Sequence, residues 1–331
     1  MRLDQIRGFD VVALAASFLT AAVFAATPAC SDSAERECHV GADCASGVCG
    51  ADGLCAAPDG SDGGPDGGGG ATDGGAGSDG AAADASTDAK LPGCTPNKDG
   101  TITRDEVPII AGLHATYKIG QNEDVSTAGT PIAGGMRSWD YSGALASDVG
   151  VLVETQPLTG KWFESKYPGA TYASKLSEST DVLGVFETSP GALLLRGVVS
   201  PTDSSSASEI TYTPAVAVLK FPLSVGATWT TDATASGRAK GYDIATYAPT
   251  TEKYESKVDA AGELKTPLGT FDVLRVAVVL TRKVGWVPVT TTVRTFAFVT
   301  ECYGTIATVT STDNEANAEF TRAAEIRRLS P

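Results

Sequence analysis

Residues 56–90 limit what this chain can fold into more than any other feature, because they contain no Leu, Val, Ile or aromatic residue. The segment is almost entirely Ala, Gly, Asp, Ser, Thr and Pro, so it has no apolar surface to bury and is predicted to be disordered. A Gly-rich segment of this length has a root-mean-square span of ~30–35 Å, which repulsion among its Asp residues extends. The chain is therefore predicted to divide at a linker over residues 56–90.

The acidic charge of the chain is concentrated before the end of this linker. The net charge is −15, with 14 acidic and 4 basic residues in 1–90 and 26 acidic and 21 basic residues in 91–331. The second part lacks the clustered Lys and Arg that nucleic-acid binding requires, and its charge does not favour an anionic membrane surface. We therefore expect no nucleic-acid partner.

The first 29 residues have the layout of a secretory signal peptide. Arg2 and Arg7 precede an apolar run over residues 11–26, and small residues follow up to Ala29. This order is typical of an export signal, and 16 apolar residues are fewer than the ~20 that a membrane-spanning helix needs. Cleavage after Ala26 or Ala29 would release a soluble, secreted protein.

A second outcome at this position is lipidation. The sequence Thr27-Pro28-Ala29-Cys30 resembles the lipobox of bacterial lipoproteins, which implies cleavage before Cys30, a diacylglycerol on its thiol and an N-terminal lipid anchor in the membrane. Cys30 is also the one cysteine of seven that remains after a cluster of four and a pair around the large domain. The expected location is the outer membrane, the periplasm or the cell surface, with secretion as the alternative.

Residues 30–55 are predicted to form the lipidated N-terminus and a small cysteine-rich knot. Its four cysteines have the spacing C-x5-C-x4-C-x5-C and are Cys38, Cys44, Cys49 and Cys55. Export favours two disulfides over a zinc site, and three pairings are possible. The stretch DCASGVC…GLC resembles cysteine-rich modules of bacterial surface lipoproteins and, loosely, the Dickkopf-type motif. That resemblance implies a compact knot, which serves either as a rigid collar or in recognition.

Residues 91–331 are predicted to form one β-rich globular domain. Short apolar or alternating runs recur between Gly, Pro, Ser and Asp, at a spacing that predicts antiparallel strands without long helices. The expected fold class is mainly β, as a half-barrel, a barrel or a sandwich preceded by a disordered stalk. The predicted strands cover residues 115–119, 150–154, 182–187, 192–199, 209–213, 215–221, 228–231, 253–259, 271–280, 289–299, 305–310 and 318–326.

Three short elements in the second half of this domain carry a resemblance to known proteins. Residues 221–229 read FPLSVGATW, residues 262–271 read GELKTPLGTF, and residues 298–306 read FVTECYGTI. Their order is similar to that in uncharacterised bacterial envelope proteins with curved antiparallel sheets, akin to lipoprotein-carrier and half-barrel folds. The resemblance implies hairpin turns and a curved sheet, and no catalytic residue.

The remaining two cysteines, Cys94 and Cys302, bracket the β-rich domain. A disulfide between them would fix the incoming chain to a late strand. The loop-entropy relation gives about 5 kcal/mol for so long a loop, which is an upper figure.

The residues after Cys94 resemble the twelve-residue calcium loop of EF-hands. Asn97, Asp99, Thr101 and Glu106 occupy the third, fifth, seventh and twelfth positions, and Gly100 is the turn glycine. Thr95 stands where the first carboxylate is usual. The resemblance implies a calcium site, while the alternative is a tight Asp-Gly turn that begins the domain without a metal.

No catalytic residues are predicted. The two histidines do not form an HExxH motif and no G-x-S-x-G sequence is present, while a pair of carboxylates brought together by the fold would escape notice. The four tryptophans are expected either in the core or along a concave ligand-binding face. We therefore expect a non-enzymatic envelope lipoprotein that binds an apolar ligand or a protein partner, with a calcium-steadied structural or adhesion module and an envelope hydrolase as alternatives.

Overall fold

The computed structural model describes residues 94–176 and 180–331, and within them the chain is mainly β, as predicted. The strands are β1 (Thr101–Ile102), β2 (His114–Asp124), β3 (Thr130–Pro131), β4 (Arg137–Asp140), β5 (Val149–Gln156), β6 (Tyr172–Lys175), β7 (Leu183–Ser189), β8 (Ala192–Val199), β9 (Glu209–Lys220), β10 (Leu223–Ser224), β11 (Thr228–Ala239), β12 (Tyr242–Asp243), β13 (Thr250–Lys265), β14 (Thr270–Val284), β15 (Val289–Thr300), β16 (Gly304–Ser311) and β17 (Arg322–Leu329). The helices are α1 (Ile244–Tyr247) and the 3-10 turns Arg104–Glu106, Ala133–Gly135 and Glu164–Lys166.

Twelve of these strands form a closed antiparallel barrel in the order β11-β9-β8-β7-β6-β5-β2-β17-β16-β15-β14-β13. The barrel closes where β11 pairs with β13, from Thr228 opposite Lys257 to Ala235 opposite Thr250. Outside the barrel, β12 pairs with the end of β11 in antiparallel orientation, β4 pairs with β13 in parallel orientation, and β3 pairs with β4. Of the architectures expected from the sequence, the molecule therefore adopts the closed barrel and not the half-barrel.

Alternation of apolar and polar residues shows which face of these strands lies inside the barrel. In β11 the side chains of Trp229, Thr231, Ala233 and Ala235 are buried, while those between them are exposed. Strand β13 alternates in the same way over its first nine residues. Because neighbouring side chains point to opposite faces of a strand, β11 and this part of β13 place one face in the interior and one towards solvent.

The barrel has two ends, which we call the clamp end and the distal end. At the clamp end Cys94 is joined by a disulfide to Cys302, in the turn between β15 and β16. This pairing agrees with the one predicted from the sequence. At the distal end lie α1 and the turn between β14 and β15, since β14 runs from one end to the other.

The three elements that suggested hairpin turns form turns or connections at the clamp end. Residues 221–227 connect β9 to β11 and include β10, which pairs with β1. Thr266 and Gly269 exchange backbone hydrogen bonds in the turn between β13 and β14. Thr300 pairs with Gly304 across the turn that contains Cys302. The hairpin turns expected within residues 262–271 and 298–306 are therefore present, whereas residues 221–227 form a longer connection that contains β10.

The segment between β2 and β5 covers part of the outer face of the barrel. Trp139 of β4 is 1% exposed, packs edge-on against Phe298 with ring centroids 5.0 Å apart, and donates its indole N–H to the carbonyl of Thr127. Strand β4 approaches β13 so closely that a Cβ on Gly262 would lie 1.7 Å from the carbonyl oxygen of Arg137. Only glycine leaves room for this contact.

Candidate functional site

The interior of the barrel contains a cavity of about 270 Å³, which we call the interior cavity. Its lining is mostly apolar and aromatic. The lining residues that the following paragraphs use are Val107, Ile109, Tyr117, Tyr172, Ser174, Phe186, Leu193, Val218 and Arg327.

The strands that line this cavity show that it lies inside the barrel. They are β9, β8, β7, β6, β5, β2, β17 and β16, which are eight consecutive neighbours in the closed sheet. A space bounded by two thirds of a closed sheet can lie only on the concave side of that sheet. The interior cavity therefore occupies the side of the barrel opposite the strands β11, β13 and β14.

That other side of the interior is filled by side chains. Near the distal end Tyr212, Val216, Ala233, Tyr254 and Leu280 belong to one buried cluster. Near the clamp end a second cluster, which includes Trp229, Val258 and Val276, continues the packing. Interiors packed in this way leave few voids larger than a water molecule, so a cavity of this size on one side stands out as a candidate binding site.

The cavity wall carries a small number of polar groups. The Tyr117 hydroxyl donates to the carbonyl of Thr305 at 2.9 Å, and burial raises the pKa of Tyr117 to about 12 although Arg327 opposes the shift. Burial likewise raises the pKa of Tyr172. Both phenols are therefore neutral at physiological pH.

Among the described residues of the wall, one guanidinium is present, and it is part of an ion pair. Arg327 donates from Nε to the Glu325 carboxylate at 2.8 Å, and their side chains are 11% and 1% exposed. A second Arg327 nitrogen donates to the carbonyl of Leu176. The pair carries no net charge, so this part of the wall attracts neither anions nor cations strongly.

The clamp end of the interior cavity is covered by the segment that follows the 3-10 turn Arg104–Glu106. Val107 and Ile109 are buried against the barrel. The segment is held by hydrogen bonds from the Cys302 N–H to the Glu106 carbonyl at 2.6 Å and from the Thr188 hydroxyl to the Ile109 carbonyl at 2.9 Å. Residues 104–109 therefore act as a plug for this end.

The same segment is anchored upstream by a carboxylate. Glu301 is 8% exposed and accepts hydrogen bonds from the backbone N–H groups of Asn97 and Lys98 at 2.6 and 3.1 Å. Since charge-assisted hydrogen bonds are stronger than neutral ones, Glu301 and the neighbouring disulfide together fix the chain where it enters the domain.

The structure brings the predicted calcium residues into one loop. The Asn97 side chain donates to Glu106 at 2.7 Å, and Asp99 accepts from the Thr101 N–H at 2.8 Å. Glu106 also accepts from Thr103 as a capping box, and Gly100 has a φ of +82°. The loop is thus closed by its own hydrogen bonds, and calcium binding stays a prediction.

Cys30, Cys38, Cys44, Cys49 and Cys55 lie outside the described residues. Among residues 94–176 and 180–331, no three side chains of His, Cys, Asp or Glu are grouped closely enough to hold a metal ion.

A larger cleft of about 570 Å³ lies at the clamp end, between the N-terminal loop and the β13–β14 hairpin. Its carboxylates include Asp272, which forms an ion pair with Lys98 at 2.8 Å, and Glu301, which is engaged by the two backbone N–H groups. The hydrogen bond to Asp272 raises the pKa of Lys98. Because these groups hold the N-terminal loop in place, we assign the cleft a structural role.

None of the four tryptophans lines the interior cavity. Trp139 and Trp229 are buried core residues, and Trp162 is half-buried against Phe163. Trp286 is 76% exposed at the distal end, which neither of the two expectations for the tryptophans anticipated.

The residues that do line the cavity were not singled out by the sequence. Tyr172 lies in β6, a four-residue strand too short to show alternation, and Arg327 lies one residue beyond the strand predicted over residues 318–326. The apolar residues of β9 gave the one sequence signal for this region. They indicate that β9 has a buried face, but they do not show where the packing leaves a cavity.

Comparisons with known proteins show no family for this chain. No protein family and no curated protein matches its sequence. A crystal structure described as a putative lipoprotein from Parabacteroides distasonis ATCC 8503 is similar at a TM-score of 0.32 and 10% identity, covering 66% of this chain and 95% of that one. Similarity at that level carries no argument about fold or function. Within the described part of the chain, no helix has the length and apolar character needed to span a membrane.

Proposed function

We propose that this protein is a non-enzymatic envelope lipoprotein whose barrel binds a small, uncharged apolar ligand in the interior cavity. The observation that carries the proposal is the apolar cavity of about 270 Å³ inside a barrel whose other side is filled. Small-molecule sites are typically concave, mostly apolar and provided with a few polar groups, and this description fits the wall formed by Tyr172, Leu193 and Val218.

The size and charge of the cavity narrow the class of ligand. An apolar cavity of ~150 Å³ holds benzene, whereas pockets for drug-sized ligands usually measure ~300–1,000 Å³. The interior cavity lies just below the second range, so it fits a ligand larger than benzene but still small. Because Glu325 neutralises Arg327, a carboxylate ligand would lose its hydration without gaining an unpaired guanidinium.

Solvent extraction of the purified full-length protein, followed by mass spectrometry, tests this proposal. We expect a small neutral compound in the extract of the wild type. Val218→Phe fills the cavity and should abolish its recovery, while Val225→Phe, at a position that is 56% exposed on the outside, should not. Near-ultraviolet circular dichroism confirms that each variant is folded.

A second variant protects the test against misfolding caused by an overfilled interior. Phe186→Ala enlarges the cavity and should increase the affinity for a bulkier neutral probe such as naphthalene. If neither variant changes ligand recovery or probe affinity, the interior cavity is not the binding site.

The envelope location rests on the export signal and the lipobox-like sequence before Cys30. We expect metabolic labelling with radioactive palmitate to label the wild type and not Cys30→Ser. If both forms are labelled, Cys30 is not the acylated residue, and if neither is labelled the secreted alternative applies.

The second candidate function is that of a structural module stabilised by calcium. The hydrogen bond that brings Asn97 against Glu106 favours this function. Calcium should then raise the melting temperature of the wild type but not that of Asp99→Asn. An equal response of both proteins would refute the calcium site.

A further inference from the structure

The distal end of the barrel exposes a group of large apolar side chains, which we call the distal tip. Their exposed fractions range from 55% to 88%, although side chains of this type are usually buried in domains of this size. The residues and their exposed fractions are Tyr242 (55%), Tyr247 (59%), Trp286 (76%), Val287 (88%) and Val289 (69%).

These residues form one surface and not scattered positions. The indole N–H of Trp286 donates to the carbonyl of Thr246 in α1 at 3.3 Å, which fixes the β14–β15 turn against α1. The rings of Tyr242 and Tyr247 meet edge to face with centroids 5.9 Å apart. A hydrogen bond from the Gly285 N–H to the Pro249 carbonyl at 2.9 Å adds a second link.

The exposure of the β14–β15 turn shows that it projects from the barrel. Residues 286–289 are all exposed, whereas the barrel strands on either side return to half-buried or buried positions within a few residues. A projecting apolar turn can insert into a lipid bilayer, which is fluid, more easily than it can fit the rigid surface of a second protein.

Charge at the base of the distal tip indicates which partner fits. Lys240 and Lys283 flank it, both are exposed, and neither forms an ion pair with another described residue. The nearby carboxylate of Asp243 accepts the hydrogen bond that caps α1, which lowers the pKa of Asp243 and keeps it negatively charged, so the two lysines outnumber it by one charge. The base of the tip therefore presents free ammonium groups and the tip itself presents Trp, Tyr and Val.

We propose that the distal tip inserts into the interfacial region of a lipid bilayer. Trp and Tyr favour the headgroup level of membranes, aliphatic side chains gain free energy by entering the acyl boundary, and lysines extend their ammonium groups to the phosphates. This contact is separate from the predicted lipid anchor, since Cys94, where the preceding chain enters the domain, lies at the opposite end of the barrel. It is also independent of ligand binding in the interior cavity.

Tryptophan fluorescence of the full-length protein in phosphatidylcholine vesicles tests the proposal, with the signal of Trp286→Phe subtracted as background. The subtraction is effective because the other three tryptophans are buried or half-buried. We expect vesicles to shift the Trp286 emission to shorter wavelength and to protect it from acrylamide, and we expect brominated lipids to quench it.

Variants show whether apolar contact is responsible. Val287→Asp should lower the affinity for vesicles about tenfold or more, as followed by the quenching of Trp286 by brominated lipids, since it replaces the burial of a Val side chain with a charge. Val225→Asp, at an exposed valine at the clamp end, should leave it unchanged. Both positions are exposed, so neither variant is expected to affect folding.

Two results would overturn the proposal. Acrylamide could quench Trp286 equally with and without vesicles, in which case the tip does not contact lipid. Alternatively, Trp286 could become protected without vesicles as the protein concentration rises, in which case a second copy of the chain covers the tip.

Discussion

Arg275 offers the sharpest test of how the outer segments are held on the barrel. Its side chain is 3% exposed and makes two hydrogen bonds to Asp259, two to Glu319 and one to the Thr127 carbonyl. The guanidinium also lies over the Phe296 ring, 4.2 Å from its centroid. Three segments that are distant in sequence therefore meet at one buried cation.

The loss of stability expected on removing one of these carboxylates is limited because a second carboxylate still pairs with Arg275. Removing a single partner of a buried ion pair costs ~3–5 kcal/mol when the remaining charge has no compensation, but here the second carboxylate remains. Asp259 is 22% exposed and Glu319 37%, so solvent weakens the Glu319 contact more. We expect Asp259→Asn to lower the free energy of unfolding by ~1–2 kcal/mol and Glu319→Gln by ~1 kcal/mol or less.

The double variant removes all compensation and should cost ~3–5 kcal/mol, which exceeds the sum of the single changes. Urea unfolding followed by tryptophan fluorescence measures these differences, because Trp139 lies 5.4 Å from the guanidinium. Asp124→Asn is the control, since its ion pair with Arg322 is exposed. Strictly additive single effects, or a control that costs as much as the double variant, would refute the reasoning.

Three further predictions follow from the disulfide, the buried phenols and the β4 contact. Replacing Cys94 and Cys302 by alanine should lower the free energy of unfolding by up to about 5 kcal/mol, measured by urea unfolding and contradicted by an unchanged midpoint. Burial raises the pKa of Tyr117 and Tyr167 to about 12 in the folded protein, whereas the pKa of tyrosine in the unfolded chain is near 10. Between these two values the unfolded chain has lost the phenol protons and the folded protein has kept them. The free energy of unfolding therefore falls as the pH rises from the unfolded pKa towards the folded pKa. Melting temperatures across this alkaline range should therefore decline, and a flat profile would show that these phenols titrate freely. Gly262→Ala should cost ~1–3 kcal/mol in urea unfolding because its Cβ meets β4 backbone, and no change in stability would mean that β4 moves without cost.

The strands could be predicted where pattern and turn signals agree. Strand β8 has the predicted bounds, Ala192–Val199, because Pro190 and Gly191 end the preceding strand in a two-residue turn. Strand β9 was expected to break at Pro214 but continues through it. The pairing of β9 with β11 stops at Thr213 and its register with β8 shifts nearby, so the missing N–H of the proline disrupts no ladder.

Buried charge explains why the last strand was misplaced. The sequence predicted a strand over residues 318–326, whereas β17 is Arg322–Leu329. The predicted strand ends before Arg327 and Arg328, but Arg328 is fully buried and bonds to Asp148 and to the carbonyl of Gly143. Partners 180 or more residues away cannot be read from the local pattern, and the cavity beside Arg327 was hidden for the same reason.

The exposure of Trp286 was equally hidden from the sequence. An aromatic residue between two apolar strands predicts burial, and only the position of the β14–β15 turn beyond the closing strands places this ring in solvent. The sequence therefore indicated a barrel as one possible architecture, the turns and the disulfide, while closure and the distribution of interior space depended on packing between distant strands.

The most direct test of ligand binding in the interior cavity is a crystal structure of the wild type that has been freed of its bound compound by solvent extraction and refolding and then soaked with toluene. We predict toluene density between Tyr172 and Val218, and none in the corresponding crystal of Val218→Phe. Toluene density absent from the wild-type interior, or present equally in both crystals, would contradict the account.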